Sequence, residues 1–321
     1  MEQEQKSPSP KRKRLGFKIT LGVIFLLLLG AGTYAFSVYN SIAGTIEKTH
    51  KPLERSESEQ RVIDLSKGDP ISLLLFGVDE RDGDRGRPDS LILLTANPSD
   101  QSIKMVSIPR DTYTEIAGKG IKDKINHSYT YGGVDMSIKT VENFLDVPID
   151  YYVQVNMAGF KDLVDAVGGV TVDNTLDFSY DGSDFPVGKL ELNGEEALKY
   201  SRMRALDPQG DFGRQERQRK IIKGFFDKAL QVETLTNYRS ILEAIGKNLK
   251  TNLTFEEMKL IQENYAQTRH NLEQIQINGS GKEENGVYYY IVPEEERTKL
   301  SQTLKAHLKH GDGSRVSFLH N

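Results

Sequence analysis

An uncharged apolar run near the start of the chain places the strongest limit on how this sequence can fold. Residues 19–36 (ITLGVIFLLLLGAGTYAF) contain no charged side chain. As a helix with a rise of about 1.5 Å per residue, the run would measure roughly 27 Å, close to the thickness of the hydrocarbon core of a bilayer. Tyr34 and Tyr39 lie where the interfacial aromatic residues of a membrane helix are expected. We therefore predict a transmembrane helix over residues 19–39.

The charges beside this run predict which way it is inserted. Residues 1–18 contain six lysines and arginines against two glutamates, a net charge of +4. Positive residues favour the cytoplasmic side. We therefore predict a cytoplasmic segment over residues 1–18 and a single-pass type II protein of the cell membrane, with its folded part extracytoplasmic. A cleaved signal peptide is the alternative, but its apolar region is usually only about 7–15 residues long and is followed by a small-residue cleavage site.

The composition limits the chemistry that the chain can perform. There are no cysteines, which excludes disulfides, thiolate metal sites and a cysteine nucleophile. The net charge of the whole chain is −4, so the part after residue 18 carries −8. An acidic body does not attract polyanions by its overall field, so we expect no nucleic-acid partner. Any phosphate site must be formed by local placement of cations.

Hydrophobic periodicity divides the remaining chain into three parts. Residues 40–69 are polar and are predicted as an extracytoplasmic stalk, residues 70–310 as the folded domain and residues 311–321 as a flexible tail. Apolar segments predict strands at residues 71–76, 90–95, 103–108, 151–156, 169–172, 272–277 and 287–291. Helical periodicity predicts helices at residues 135–145, 157–167, 194–200, 213–231, 235–249, 254–267 and 294–308.

The order of these elements predicts the fold class. Strands and helices interleave, so we predict an α/β fold, a three-layer α/β/α sandwich around one sheet, preceded by the transmembrane helix. The second and third predicted strands are joined by a short connection with the turn sequence Asn97-Pro98-Ser99-Asp100. This connection predicts an antiparallel pair, so the central sheet is expected to be mixed.

Common catalytic motifs do not occur in the sequence. There is no GxSxG nucleophile elbow, no HExxH zinc motif and no Walker A lysine motif. His127 is the only histidine in a conspicuous polar segment. A Ser-His-Asp hydrolase is therefore poorly supported.

Two carboxylates flank the loop between the first two predicted strands. Asp79 follows the apolar strand ISLLLF, and Asp89 directly precedes the apolar segment LILLT. If the two strands are neighbours, both carboxylates lie at one edge of the sheet, where they suit a hard divalent ion such as Mg²⁺ that also bridges phosphate. Arg87, two residues before Asp89, could point the same way.

Arginines near the ends of other predicted elements indicate an anion site. Arg110 follows a proline at the end of the third strand, and the polar run 122–129 (KDKINHSY) is expected in a loop. Arg202 and Arg204 would share a face in an extended chain. One face of a predicted helix carries Arg214, Arg217 and Gln218. Arginine suits bidentate recognition of phosphate. Each pattern alone has an ordinary explanation, because charged helix faces are usually solvated and aspartate-rich loops are usually turns.

The segments that carry these residues resemble, in the same order, the motifs of the LytR-CpsA-Psr family and, within it, of the teichoic-acid transferases of Gram-positive bacteria. The matching segments are GVDERDGDRGRPDSLILLT, VSIPRDTY, KINHSYTYGG, DYYVQVNMAGFKDLVDAVGGV, LNGEEALKYSRMR and DFGRQERQRKII. Residues 232–321 match no family motif and are expected to complete the fold.

The resemblance implies roles for the candidate residues. Two match carboxylates associated with a metal, which implies Mg²⁺ (or Mn²⁺) as cofactor: Asp79 and Asp89. Four match arginines that hold a pyrophosphate: Arg87, Arg110, Arg202 and Arg204. Four match the segment that closes the head-group site: Asp211, Arg214, Arg217 and Gln218. The candidate catalytic residues are Arg110, Asp79, Asp89 and Asp211. Three match a family motif whose role the sequence does not give: Lys124, Asn126 and His127.

The resemblance also implies the reaction. The family transfers anionic glycopolymers, such as wall teichoic acid, from an undecaprenyl-pyrophosphate carrier to peptidoglycan through a phosphodiester link, with the polyprenyl tail in an apolar pocket. The expected partners are the lipid-linked glycopolymer, the peptidoglycan acceptor and the membrane. A polyprenyl-pyrophosphate hydrolase would use the same residues. A non-catalytic, membrane-bound regulator of cell-wall genes is a second alternative, but a cytoplasmic part of about 18 residues is too short for a DNA-binding domain. A structural peptidoglycan-binding module is a third, and metal-dependent turnover of a lipid-linked substrate would exclude it. The candidates for the general base are Asp79, Asp89 and Asp211.

Overall fold

The computed structural model describes residues 44, 48–55, 61–79, 86–229, 246 and 248–309. All of these except Gly44 belong to one compact unit, residues 46–321. The predicted cytoplasmic segment, transmembrane helix and tail lie outside the described residues. Within the described part, no helix has both the length and the apolar character needed to cross a membrane.

Fourteen strands occur among the described residues, most of them short. In chain order they are β1 Ile71–Val78, β2 Pro88–Asn97, β3 Ser102–Ile108, β4 Tyr113–Ile116, β5 Ile121–Lys124, β6 Tyr151–Asn156, β7 Val170–Asn174, β8 Phe178–Tyr180, β9 Ser183–Phe185, β10 Gly188–Leu192, β11 Leu249–Thr251, β12 Leu272–Gln276, β13 Ser280–Glu284 and β14 Val287–Ile291. Six form the central sheet, in the spatial order β11-β6-β1-β2-β3-β12. The β1–β2, β2–β3 and β6–β11 pairs are antiparallel, whereas β1–β6 and β3–β12 are parallel. The prediction of a mixed central sheet, with an antiparallel β2–β3 pair, is confirmed.

Six α-helices accompany these strands in the described part of the chain. They are α1 His127–Leu145, α2 Met157–Ala166, α3 Gly194–Arg202, α4 Asp211–Ala229, α5 Phe255–Tyr265 and α6 Glu294–His307. Local sequence fixes several of their starts. A capping box begins α5, where Thr254 and Glu257 each bond to the other's backbone N–H. Asn193 and Glu196 do the same for α3.

Side chains of β1 alternate between the two faces of the sheet, and helices cover both faces. Leu74 and Phe76 are buried in a cluster to which α1 and α6 also contribute. On the other face, Leu73 and Leu75 pack against a cluster that includes Ile222 and Phe226 of α4. Because burying apolar area is the main stabilising term, the period of two along β1 fixes which side chains face which helices.

Helix α4 also packs against a smaller apolar cluster. Ile221 is buried there with Tyr200 of α3 and with Phe178 and Phe185 of the β8–β9 hairpin. The rings of Phe178 and Tyr200 are stacked, with centroids 5.8 Å apart. Helix α4 therefore packs against the end of α3, beside Tyr200. This packing places some of the arginines of α4 near the smaller apolar cluster.

The structure adds five short strands that the sequence patterns did not predict, β4, β8, β9, β10 and β13, and it differs from the expected elements in two further segments. Residues 122–129, expected as a loop, form the end of β5 and the first turn of α1, and α1 continues past a kink at Gly132 and Gly133. Gly133 has φ +69°, which glycine adopts without strain. The expected helix 235–249 lies mostly outside the described residues, and its last residue, Leu249, begins strand β11 instead.

Part of the segment predicted as a stalk contacts the folded domain. Thr49 and Leu65 are buried. The Lys51 N–H donates to Thr251 O over 2.7 Å. Arg61 donates to both carboxylate oxygens of Asp150, at 3.0 and 2.9 Å. In the described residues, ordered packing thus starts well before residue 70.

Candidate functional site

The ends of β1 and β2 bring the two predicted carboxylates to one edge of the sheet. Val78 pairs with Pro88 and Gly77 with Ser90, so Asp89 is the extra residue of a β-bulge. The Asp79 N–H donates to Arg87 O over 3.3 Å. The expectation that the two strands are neighbours, with Asp79 and Asp89 at the same edge, is confirmed.

Arg110 reaches this edge from the end of β3. Its Nη1 donates to Asp89 Oδ1, and its Nε lies 3.7 Å from Asp111 Oδ2. Partial burial acts to lower the pKa of Arg110, but the carboxylates of Asp89, Asp111 and Asp211 outweigh it and hold this pKa above its ordinary value. Arg110 is therefore a fixed positive charge among carboxylates.

The first turn of α4 supplies the second half of the cluster. Arg214 Nη2 lies 2.6 Å from Asp211 Oδ1 and donates to Asp89 O over 3.4 Å. Burial is the largest influence on the pKa of Arg214 and lowers it; Asp211 opposes this effect, and the positive charge of Arg110 adds to it. The positive charge of Arg204 also lowers the pKa of Arg214, so three other predicted residues, Arg110, Arg204 and Asp211, act electrostatically on Arg214.

Two guanidinium nitrogens of this cluster lack acceptors. Arg110 Nε and Arg214 Nε are buried and have no hydrogen-bond partner among the described residues. An unpaired buried donor is costly, by about 1–3 kcal/mol for a neutral group and more for a charged one. An anion with several acceptor oxygens, such as a phosphate, would satisfy both donors.

Lys124 and Asn126 border the same cluster. Lys124 Nζ lies 2.7 Å from Asp111 Oδ1 and 5.7 Å from the centroid of the Tyr289 ring. The Asn126 N–H donates to Arg110 O over 3.3 Å. Both residues of this motif thus contact the Arg110 segment.

Arg87 lies against a histidine from the same motif. Arg87 Nη1 is 3.4 Å from His127 Nε2, and His127 Nδ1 is 2.7 Å from Asp123 Oδ2. The Tyr131 hydroxyl donates to the same Asp123 oxygen over 2.8 Å. Asp123 and Tyr131 were not among the residues predicted from sequence, although the spacing of four between Asp123 and His127 was a possible signal.

Arg217 has a different environment from Arg214. Its Nε donates to Tyr200 O over 3.0 Å, Nη1 donates to Asp207 and Nη2 to Met203 O. The guanidinium carbon lies 5.4 Å from the centroid of the Phe178 ring. Its nitrogens are thus engaged by protein groups of the smaller apolar cluster. Gln218, the next residue on α4, is half-buried.

Arg202 and Arg204 do not share an extended segment. Arg202 is the last residue of α3, and Arg204 follows its C-cap, Met203. Arg202 is exposed and acts electrostatically on Glu195 of the same helix, whereas Arg204 acts on Arg214. Both arginines are exposed, and only Arg204 has a described electrostatic effect on a residue of the cluster.

Asp79 and Asp89 are the residues that could hold a magnesium ion together with a ligand. Magnesium is usually held by one or two carboxylates together with waters and substrate phosphates. No group of three or more histidine and carboxylate side chains that could hold a metal occurs among the described residues. The donor set therefore suits Mg²⁺ (or Mn²⁺) bound together with a phosphate, and not a closed protein cage.

The fold and the site define a mixed α/β protein with an arginine- and aspartate-lined site for a phosphate-bearing ligand. The LytR_cpsA_psr family model matches residues 36–306. The chain is 52% identical over 301 residues to the polyisoprenyl-teichoic acid–peptidoglycan teichoic acid transferase TagU of Bacillus cereus, covering 93% of this chain and 99% of that relative. This protein belongs to the LytR_cpsA_psr family.

Solved structures agree with this assignment. The crystal structure of Bacillus subtilis TagU matches with a TM-score of 0.63 at 46% identity, covering 75% of this chain and 98% of that one. A structure of TagT bound to LIIa-WTA matches with a TM-score of 0.69 at 32% identity, covering 81% of this chain and 99% of that one. The mixed central sheet of this protein therefore corresponds to the sheet in these family structures.

Proposed function

We propose that this protein is a glycopolymer phosphotransferase that moves wall teichoic acid, or a similar anionic glycopolymer, from a polyprenyl-pyrophosphate carrier to peptidoglycan. The observation that carries the proposal is the pair of buried guanidinium donors, Arg110 Nε and Arg214 Nε, which have no acceptor among the described residues. The identity to transferases of this name over nearly the whole chain supports it. Undecaprenyl is the carrier that the family resemblance implies.

In this reaction the site holds the pyrophosphate and stabilises the charge that develops on it. Arg110 and Arg214 bind the phosphate oxygens from the sheet edge and from α4, and Arg87 and Arg204 approach from the two flanking loops. Their fixed positive charges favour the departing phosphate more as its bond breaks, which is how a preorganised site lowers a barrier. The carboxylates around Arg110 keep its side chain oriented before the substrate arrives.

Asp79 and Asp89 would hold Mg²⁺ (or Mn²⁺), which when bound neutralises phosphate charge. A hydroxyl of the acceptor glycan attacks the phosphorus that bears the sugar, and polyprenyl phosphate leaves. This displacement needs no covalent enzyme intermediate, in agreement with the missing nucleophile motifs. Asp211 pairs with Arg214 and accepts from Gln215 Nε2 over 2.9 Å, and these contacts within the first turn of α4 hold the Arg214 guanidinium in place.

We also propose the membrane arrangement that this substrate requires. A lipid-linked donor stays in the bilayer, so an anchor at residues 19–39 would keep the catalytic domain, a three-layer α/β/α sandwich on the extracytoplasmic side, next to it. Hydropathy and the basic flank of the apolar run support this arrangement.

Reconstitution tests the proposed function. Full-length protein in lipid vesicles is mixed with a labelled polyprenyl-pyrophosphate-linked glycopolymer, with and without a peptidoglycan glycan, and both products are measured. We expect label on the glycan, and Arg110→Ala should lower the rate at least about 100-fold, as for loss of a main charge-stabilising donor. The control is Lys259→Ala, which removes an exposed positive charge on α5. Release of polyprenyl phosphate without labelled glycan would identify a hydrolase, and no turnover would contradict the proposal.

A further inference from the structure

The carboxylates beside the arginines are poorly placed to accept a proton. Asp89 Oδ1 accepts from Arg110 Nη1. Asp211 forms an ion pair with Arg214, whose Nη2 is 2.6 Å from Oδ1, and its Oδ2 accepts from Gln215 Nε2 over 2.9 Å. The buried Oδ1 accepts no hydrogen bond of good geometry among the described residues, so the Arg214 charge is what opposes protonation of Asp211. A carboxylate that neutralises a guanidinium loses that interaction when it takes a proton. The group that deprotonates an attacking hydroxyl is therefore better sought outside these pairs.

His127 lies at the border of the cluster, and its neighbours define its tautomer. Asp123, whose carboxylate can only accept, is 2.7 Å from Nδ1, so Nδ1 carries a proton. Arg87, whose guanidinium can only donate, is 3.4 Å from Nε2. Arg87 can donate to Nε2 only when Nε2 carries a lone pair, so the two partners favour the tautomer with its proton on Nδ1 and its lone pair directed toward Arg87. This assignment follows from the two partners.

Asp123 is held as an ionised carboxylate by three donors. The Lys124 N–H donates to Oδ1 over 2.7 Å, and Oδ2 accepts from Tyr131 over 2.8 Å and from His127. Partial burial acts to raise the pKa of Asp123, but these hydrogen bonds outweigh it and the pKa is lowered. A fixed carboxylate behind a histidine both orients the ring and stabilises the imidazolium that forms when Nε2 takes a proton.

The dyad of Asp123 and His127 lies next to the phosphate site, because the N–H of the preceding residue, Asn126, donates to Arg110 O over 3.3 Å. The side chain of His127 is 24% exposed. Its ring contacts Arg87, which precedes Asp89 by two residues. The charged and titratable groups in contact with the ring in the described part of the chain are Arg87, Asp123 and Tyr131.

We propose that His127, oriented by Asp123, is the general base of the transfer. The inference rests on the proposed function. Arg87 turns from Nε2 to a phosphate oxygen when the donor binds, which frees the lone pair for the hydroxyl of the acceptor glycan. Nε2 takes the hydroxyl proton as the oxygen forms its bond to the sugar-bearing phosphorus. The bond from this phosphorus to the oxygen of polyprenyl phosphate breaks. The bonding electron pair stays on that oxygen, which leaves as an anion. The imidazolium then returns its proton to solvent.

The test measures the release of polyprenyl phosphate in a single turnover by full-length protein in vesicles, over roughly pH 5 to pH 9, around the titration range of histidine. His127→Gln should lower the rate about 10²- to 10⁴-fold, the usual contribution of a general base, with the KM for the lipid-linked donor within about threefold. The fall in rate on the acid side of the wild-type profile should disappear. In His127→Ala, added imidazole should restore part of the rate, a result that a purely structural role would not give.

Two further variants make the outcome decisive. His50→Gln is the matched control, because His50 contacts only Leu253 O through Nδ1 in its described hydrogen bonds, and it should keep the wild-type profile. Asp123→Asn should lower the rate while leaving donor KM unchanged. If His127→Gln turns over within about threefold of wild type and keeps the acid limb, the assignment is wrong. Absence of turnover by wild-type protein would instead contradict the proposed function.

Discussion

Arg217 donates from Nε to the backbone oxygen of Tyr200 over 3.0 Å, and its guanidinium carbon lies 5.9 Å from the centroid of the Tyr200 ring. The same side chain pairs with Asp207, and both side chains are almost fully buried, at 5% and 6% exposure. An arginine that the family resemblance assigns to the head group thus ties the loop after α3 to α4.

Arg217→Ala should therefore act first on stability. It leaves the Asp207 carboxylate buried without its partner, and breaking such a pair costs about 3–5 kcal/mol. Urea unfolding of the variant, followed by circular dichroism, measures this loss directly. Full stability together with loss of donor binding would show instead that Arg217 contacts the substrate.

Gly213 offers an independent check of the same contact. A Cβ at this position would lie 1.9 Å from Asp207 Oδ2. Gly213→Ala should displace Asp207 from Arg217 and lower the unfolding free energy by about 1–3 kcal/mol, the usual range for overpacking. Thermal unfolding of this variant beside Arg217→Ala and the double variant should show that the two losses do not add. Additive losses would mean that Gly213 and Arg217 act through different contacts.

Arg214→Ala should act on ligand binding. Arg214 contacts Asp211 and Asp89 O, and its buried Nε has no hydrogen-bond acceptor among the described residues. Loss of a charge-assisted hydrogen bond costs about 1.5–3 kcal/mol, so affinity for inorganic pyrophosphate should fall roughly 10- to 100-fold. Calorimetric titration with inorganic pyrophosphate measures this affinity. Arg202→Ala should change this affinity by less than about threefold, because Arg202 acts on Glu195 and not on the cluster. A larger effect at Arg202 would restore the sequence-based assignment.

Sequence patterns predicted the sheet edge well, because β1, β2 and β3 are apolar runs that are largely buried and Asp79, Asp89 and Arg110 lie at or just beyond their ends. The same patterns did not predict that Arg214 and Arg217 of α4 have different surroundings. Three residues span 300° of an α-helix, so Arg214 and Arg217 are only about 60° apart around it. That angle still suffices for Arg214 to contact the sheet edge and Arg217 the cluster around Tyr200. The different contacts of Arg214 and Arg217 depend on the tertiary packing of residues 203–211, which local periodicity does not predict.

The dyad was missed for a related reason. A polar run such as KDKINHSY carries no apolar period, so a loop was the natural expectation. Strand β5 is fixed by its hairpin with β4, in which Ile116 opposes Ile121, and α1 is fixed by the packing of Ile138 in the main cluster of the sheet. Once these contacts form, Asp123 and His127 face each other across the junction. The short β13 strand escaped prediction because all its residues are exposed.

The start of the folded domain can be tested by Arg61→Ala. Arg61 forms a bidentate pair with Asp150, whose side chain is 4% exposed. Removal of Arg61 should lower the unfolding free energy by about 3–5 kcal/mol, because the buried carboxylate loses its partner. A chain that starts at residue 46 should melt at a higher temperature than one that starts at residue 70, since only the first keeps this pair. Equal melting temperatures would show that the segment acts as a stalk alone.

His307 should make stability depend on pH. Its Nδ1 lies 2.7 Å from Thr95 Oγ1 and its Nε2 2.9 Å from Ser102 Oγ. Burial lowers the pKa of His307 from its usual value of 6.5, and Lys104 adds to this effect. The unfolded chain then binds the proton at a higher pH than the folded protein. Stability should therefore fall as the pH drops below 6.5, and level off below the folded-state pKa. Urea unfolding should show a shallower fall for His307→Gln; an identical slope would contradict this origin.

Metal binding provides the last test, with a readout that does not depend on turnover. Asp79 and Asp89 lie at one sheet edge, and magnesium-type ions are held by few carboxylates together with phosphate oxygens. Paramagnetic resonance of Mn²⁺ should therefore detect bound ion in wild-type protein only when inorganic pyrophosphate is present. Asp79→Asn should weaken this binding at least about tenfold, because one of two charged oxygen ligands is lost. Asp184→Asn, in the β8–β9 hairpin, is the matched control and should bind as wild type does. Equal Mn²⁺ binding by Asp79→Asn and wild type would exclude Asp79 as a ligand, and the arginines alone would then have to neutralise the pyrophosphate.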